Sequence, residues 1–311
     1  MIKFPSFISG TVIVLALATV SCVVAPPVNE DFFGTEGPAS GSLIIAGGAL
    51  RDTSVVNRFI ELAGGRDALI VFIPTASGAE NFDTARTISL LTSAGATNVK
   101  LLHTYDSLIA DTEEFSSLLK EAGGVFFGGG RQWRLVDAYG GTRTEQEFKE
   151  VLGRGGVIGG SSAGASIQGS FLVRGDTRSN TVMMGDHIDG FGYLTNSAID
   201  QHLLVRNRQH DLVEVLEAHP QLLGIGIDEN TAVLIQGNRM EVMGESFVAI
   251  YDRNLWNNLP GDSLYIPNGG RFFLLRRGDV YDVMERRVLR WTGGNTRNIF
   301  ASTDRRDDGE E

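Results

Sequence analysis

The stretch Gly155-Gly156-Val157-Ile158-Gly159-Gly160-Ser161-Ser162-Ala163-Gly164-Ala165 runs from apolar residues into a string of small ones with a serine at its centre. Such a run reads as a buried strand that turns sharply into a helix and holds the Ser162 hydroxyl exposed at the strand's carboxyl end, as a nucleophile elbow does. Gly160 and Gly164 flank the serine where a side chain would collide with neighbouring backbone, and glycine is expected there for the φ it can adopt. Short Gly/Ser strings also build ordinary turns and anion-binding loops, so the rest of the chain decides the reading.

On either side of this stretch, short apolar runs alternate with helical patterns. Leu43 to Ala46 reads as a strand closed by Gly47-Gly48, and Ser54 to Ala63 as a helix with Val55, Phe59 and Leu62 on one face. Strands follow at Ala68 to Ile73, Asn98 to His103 and Gly124 to Phe127, with helices at Asp83 to Ala94 and Glu113 to Ala122. Apolar strands separated by helices imply an α/β fold, a doubly wound, mostly parallel sheet covered on both faces. Ligands of such sheets bind outside the carboxyl ends of the strands. The glycine clusters at 47–48, 128–130 and 159–164 all fall at such ends and are expected to converge on one cleft.

The chain of 311 residues, 42% apolar, is long enough to bury a full core in one sizeable domain. Its formal charge of -11 argues against general affinity for nucleic acid or anionic membranes and favours cationic partners, or simply keeps the protein soluble. Lys3 and the apolar stretch Phe4 to Val20 fit a secretory signal over residues 1–22 and are short for a membrane span. A periplasmic or extracellular location follows. The single cysteine, Cys22, follows Thr19-Val20-Ser21 and resembles the lipid-acylated cysteine of a bacterial lipoprotein signal, although leucine is usual where Thr19 stands; an ordinary cleaved signal is the alternative. Residues 23–40 read as a tether, 41–300 as the folded domain with short C-terminal strands at Arg271 to Leu275, Val280 to Met284 and Arg286 to Trp291, and 301–311 as a disordered acidic tail.

A serine nucleophile needs a base and a group that orients the base. Of five histidines, His103 reads as a strand-end residue and His219, before Pro220, as structural. His210 carries no motif of its own. His187 lies in Gly185-Asp186-His187-Ile188-Asp189-Gly190, where Asp186, His187 and Asp189 form either a sparse metal-ligand pattern or, more simply, a solvated turn. His202 differs. It closes Ala198-Ile199-Asp200-Gln201-His202, is followed by Arg206 and Arg208, and precedes a strand, Leu223 to Ile227, that ends in Asp228-Glu229.

Together, Gly128-Gly129-Gly130-Arg131-Gln132, Gly160-Ser161-Ser162-Ala163-Gly164-Ala165, Asp200-Gln201-His202 and Gly224-Ile225-Gly226-Ile227-Asp228-Glu229 resemble the cyanophycinase branch of the S51 serine peptidases, whose relatives include aspartyl dipeptidase, or peptidase E. The resemblance covers about residues 42 to 270. It implies a class I glutamine amidotransferase-like (flavodoxin-like) fold, with serine in place of their cysteine, and a dimer. It implies Ser162 as nucleophile, His202 as general base and Glu229 as the triad carboxylate, with no metal or other cofactor. Gln132, Asp200, Gln201, Arg206 and Arg208 match the substrate-holding positions, and the arginines serve equally well as structural ion-pair partners. Adjacent residues leaving a strand point to opposite faces, so Asp228 and Glu229 exchange roles if Asp228 faces the cleft. Backbone N–H groups of Ala163 and of Gly129 or Gly130 are the candidates for an oxyanion hole.

The implied activity is exopeptidase hydrolysis beside aspartate, foremost cleavage of a β-linked aspartyl-arginine polymer to dipeptides, with α- or iso-aspartyl dipeptides as alternatives. An α/β-hydrolase esterase places its acid before its histidine; here the order is Ser162, His202, Glu229, which leaves an esterase only with Asp186, Asp189 or Asp200 as the acid. An exported non-catalytic binding protein would lack a triad member, and none is lacking. Two departures stand out. The cyanophycinase cluster carries an arginine where this chain has Asp211, and the acidic residue that often follows the first glycine turn is absent from Gly47-Gly48-Ala49-Leu50.

Overall fold

A computed structural model describes residues 34–253 and 271–292. The stretch read as a secretory signal, residues 23–33 of the expected tether and the expected C-terminal tail lie outside the described residues. Residues 34–40, read from sequence as the end of the tether, are instead laid against the domain. Thr35 is fully buried and donates to the Asn196 carbonyl, and Glu36 and Thr195 exchange hydrogen bonds.

Two sheets form among the described residues. The strands are β1 (Ser42–Ala46), β2 (Ile70–Ile73), β3 (Val99–Leu101), β4 (Gly124–Phe127), β5 (Val157–Ser161), β6 (Gly169–Phe171), β7 (Leu194–Gln201), β8 (Leu223–Ile227), β9 (Thr231–Gln236), β10 (Arg239–Gly244), β11 (Phe247–Asp252), β12 (Phe273–Arg276), β13 (Val280–Asp282) and β14 (Arg287–Arg290). The large sheet runs β14-β13-β10-β9-β1-β5-β4-β2-β3, and its β1-β5-β4-β2-β3 half is parallel, as the alternation of apolar runs and helices implies. Antiparallel β9, β10, β13 and β14 extend it beyond β1.

The second sheet, β12-β11-β8-β7-β6, is not foreshadowed by the sequence. Its β7 and β8 are parallel, with Gln201 opposite Ile227. Only Asp228, Glu229 and Asn230 separate β8 from β9, yet these two strands belong to different sheets. Asn230, at φ 53°, makes the break. An apolar run records that it is buried, not which neighbour it pairs with.

Helix lengths also differ from expectation. Asp83 to Ala94 breaks into Thr84–Thr87 and Ser89–Ser93, and Glu113 to Ala122 into Glu113–Ser116 followed by a 3-10 turn. The two longest helices begin at side-chain caps. Asp52 accepts from the Ser54 N–H ahead of Thr53–Leu62, and Thr142 from the Glu145 N–H ahead of Arg143–Gly153.

Both sheets share one apolar core in which Leu43, Ile45 and Ile158 of the first meet Ile199, Ile225 and Ile227 of the second. Within the same core, Phe148 packs edge-on against Phe127 and Tyr139, with ring centroids 5.0 and 5.6 Å away. Phe148 is fully buried and makes no hydrogen bond in the cleft. Phe148→Ala is expected to lower unfolding free energy by about 3–5 kcal/mol, measured by urea titration, because it removes a ring and leaves a cavity.

Candidate active site

β5 lies between β1 and β4, so Ser162 emerges with Gly47-Gly48 on one side and Gly128 to Gly130 on the other. The elbow forms as expected but for a different local reason. Ser162 itself takes a positive φ of 59° with ψ -114°, while Gly160 and Gly164 have no positive φ. Those glycines are required by space: a Cβ on Gly160 would run into the Gly164 carbonyl, and one on Gly164 into the Phe127 carbonyl. A non-glycine residue at such a φ costs on the order of 1–3 kcal/mol and persists only where its surroundings hold it.

His202 and Glu229 leave the neighbouring ends of β7 and β8. The Ser162 hydroxyl lies 2.9 Å from His202 Nε2, and His202 Nδ1 lies 2.6 Å from Glu229 Oε1. The Glu229 carboxylate can only accept, so Nδ1 carries the proton and Nε2 is left to accept from the serine O–H. His202 is 6% exposed and Ser162 half-buried, so the hydroxyl is reachable while the imidazole is shielded. Burial is the main influence that lowers the His202 pKa below the usual imidazole value, and the positive charges of Arg206 and Arg208 act the same way against the opposing pull of Glu229. The ring is therefore neutral at neutral pH and able to take a proton.

Three successive carbonyls at the end of β1 hold the three segments that carry this chain of groups. Ala46 O accepts from the Ser162 N–H, Gly47 O from the His202 N–H at 2.8 Å, and Gly48 O from the Asn230 N–H at 2.9 Å. Asn230 Oδ1 in turn accepts from the N–H groups of Arg51 and Asp52, which fastens the turn after Gly48. His202 sits at φ 54° with its imidazole laid on Gly48, where any Cβ would overlap the ring. The sequence marks Gly47-Gly48 as a strand-end turn without revealing that it seats the histidine.

Asp228 and Glu229 point in different directions. Asp228 is 4% exposed and accepts from the N–H groups of Leu204 and Val205 and from the Ser246 hydroxyl, so it fixes the turn after His202 instead of touching its ring. Of the oxyanion candidates, Ala163 opens the helix Ala163–Ser166, so its N–H has no intrahelical acceptor. Gly129 packs beside the Ser162 side chain. Gly130, at φ 143°, lies instead against the Ala76 carbonyl and shapes the turn.

The residues matched to substrate holding divide. Arg206 is exposed beside His202 and, among the described residues, has no carboxylate partner. Arg208 is 7% exposed and donates to both the backbone and side-chain oxygens of Gln201. Asp200 is fully buried, 3.6 Å from Arg208 and bonded to Arg174, a residue that no motif singles out. Gln132 is also fully buried and donates from Nε2 to the Val173 carbonyl. Asp200, Arg208 and Gln132 are thus all buried and bonded to neighbouring groups of the protein.

The remaining histidines lie apart from this chain of groups. His187 Nε2 meets Asp137 at 2.7 Å, and among the described residues no group of three or more His, Cys, Asp or Glu side chains is placed to hold a metal ion. His103 Nδ1 meets the Thr75 hydroxyl, His219 packs against Phe171, and His210 is exposed. Gly48→Ala is expected to displace the imidazole and slow labelling of Ser162 by a fluorophosphonate by about 10²-fold, followed by intact mass.

Residues 42–243 match the family model of peptidase family S51. A cyanophycinase from Geminocystis herdmanii (strain PCC 6308) is 32% identical over 218 residues, spanning 68% of this chain and 80% of that protein. One from Nostoc sp. (strain PCC 7120) is 30% identical over 262 residues, 80% of this chain and 87% of that protein. The crystal structure of a peptidase from an acI-B1 Actinobacterium shares the fold, with a TM-score of 0.59 at 24% identity over 79% of this chain and 98% of that one. The matched region takes in Gly128 to Gly130, the elbow, the strand end at His202 and the β8 terminus, and by it the chain belongs to peptidase family S51.

Proposed function

We propose that this protein is a serine-type peptidase that hydrolyses aspartyl peptide bonds, acting as an exopeptidase on a β-linked aspartyl-arginine polymer in the manner of a cyanophycinase. The observation that carries the reading is the unbroken chain Ser162 Oγ, His202 Nε2, His202 Nδ1, Glu229 Oε1 at a strained elbow. Ser162 attacks the amide carbon as His202 takes its proton, and Glu229 stabilises the imidazolium that results. The developing oxyanion is met by the N–H groups of Ala163 and Gly129, each worth on the order of 3 kcal/mol in the transition state. Collapse expels the amine, protonated by His202, and leaves an acyl-enzyme on Ser162. Water, deprotonated by His202, then releases the acid.

Pairing of His202 with a carboxylate that follows it in the chain favours this reading over the esterase order, in which the acid comes first. The cyanophycinase relatives support the choice of substrate. Arg206 is the guanidinium left to pair with a substrate carboxylate, and the acidic net charge suits a substrate rich in arginine. Export, with Cys22 as a lipid attachment point, would deliver the enzyme to polymer outside the cytoplasm.

Incubation with cyanophycin, β-aspartyl dipeptides and α-aspartyl dipeptides in parallel tests the substrate. Release of β-Asp-Arg from the polymer is expected, with Ser162→Ala reduced by about 10⁶-fold in kcat. Cleavage of simple esters alone would overturn the reading. The acid limb of kcat/KM is expected to have its midpoint below pH 6.5, because a lowered His202 pKa keeps the base neutral further into acid. Arg206→Ala removes a cation and moves that limb upward. Glu229→Gln removes the group that favours the imidazolium, moves it downward and cuts kcat on the order of 10⁴-fold.

A further inference from the structure

Behind His202 lies a cluster of four charges, three of them buried and the fourth, Asp211, half-buried. Arg174, 3% exposed, grips the fully buried Asp200 with two hydrogen bonds, Nε to Oδ1 at 3.0 Å and Nη2 to Oδ2 at 3.3 Å. Its Nη2 also pairs with Asp211 Oδ2, and its Nη1 donates to the Asn180 carbonyl at 2.9 Å. From the other side, Arg208 Nη1 stands 3.6 Å from Asp200 Oδ1 and donates to the Gln201 backbone and side-chain oxygens at 3.0 and 2.9 Å. Two cations and two anions balance, which makes such a cluster tolerable away from water; loss of one member leaves an uncompensated buried charge.

We infer that Arg174 is a positioning residue for the proposed base. It secures Asp200, and through Asp200 and Gln201 the strand end from which His202 departs at φ 54°. The inference rests on the catalytic reading above.

Three elements meet on this one guanidinium: the loop after β6, the end of β7 and the first residue of the helix Asp211–Ala218. With Arg174 in place, Arg208 stays on Gln201 and supports the residue before His202. Without it, the buried Asp200 carboxylate draws Arg208 to itself, and the Gln201 oxygens lose their donor.

The test compares the full chain with Arg174→Met, Arg174→Lys and the reciprocal pair Arg174→Asp with Asp211→Arg. Each is titrated with a fluorophosphonate to count reactive serines, and the labelling rate, kcat and KM are referred to that count. Arg174→Met is expected to lower labelling rate and kcat per reactive site together by about 10²-fold, as a base displaced by an ångström would. KM is expected to stay within about twofold, since Arg174 touches no substrate. Arg174→Lys keeps the charge but not the two-point grip and should recover part of the loss. The reciprocal pair should exceed Arg174→Asp alone by about tenfold, as expected for residues in direct contact.

A variant that only folds less completely would show fewer reactive sites, each with wild-type rates. That result, in either the Met or the Lys variant, overturns the positioning role. Wild-type labelling abolished by Ser162→Ala would still stand for the triad in that case, so the two readings fail separately.

Discussion

The hydrogen bond between Ser162 and His202 joins two sheets that share no strand, and both residues sit in a backbone conformation that a side chain resists. What makes the contact possible is the end of β1. Its carbonyls at Ala46, Gly47 and Gly48 receive the N–H groups of Ser162, His202 and Asn230 in order, so one strand terminus sets the relative placement of all three segments. Since the strain at Ser162 and His202 is of the order of a few kcal/mol, these bonds, the close packing at Gly160 and Gly164, and the seat at Gly48 are what keep the elbow populated.

The electrostatics of the cleft follow a matching division of labour. Carboxylates placed close together in the sequence take different roles because their partners differ. Glu229 meets an imidazole, Asp228 meets two backbone N–H groups and a hydroxyl, and Asp200 meets two guanidinium groups. Only Glu229 is left with an acceptor oxygen directed at the base. Among the arginines, Arg174 and Arg208 are committed to buried partners, while Arg206 remains at the surface. The site thus keeps a neutral imidazole beside an accessible cation.

Much of this was legible in the sequence wherever a signal is local. Strand and helix alternation gave the parallel half of the large sheet, and the spacing of glycines around Ser162 gave the elbow. Polar residues crowded at an apolar strand end marked His202. Long-range signals were not legible. Arg174 stands in a stretch with no motif, and its importance lies entirely in meeting Asp200 and Asp211, 26 and 37 positions away. The burial of Gln132, whose amide donates to the Val173 carbonyl 41 positions away, is likewise set by a neighbour remote in the chain.

By itself, then, the sequence determined the residue types and the strand ends at which they stand, because apolar periodicity and the steric demands of glycine act over a few residues. Tertiary structure decided which strands pair, which of Asp228 and Glu229 faces the histidine, and which glycine seats its ring. Those outcomes depend on hydrogen bonds and close contacts between segments separated by tens to hundreds of residues, and no local pattern encodes the partner of a buried polar group.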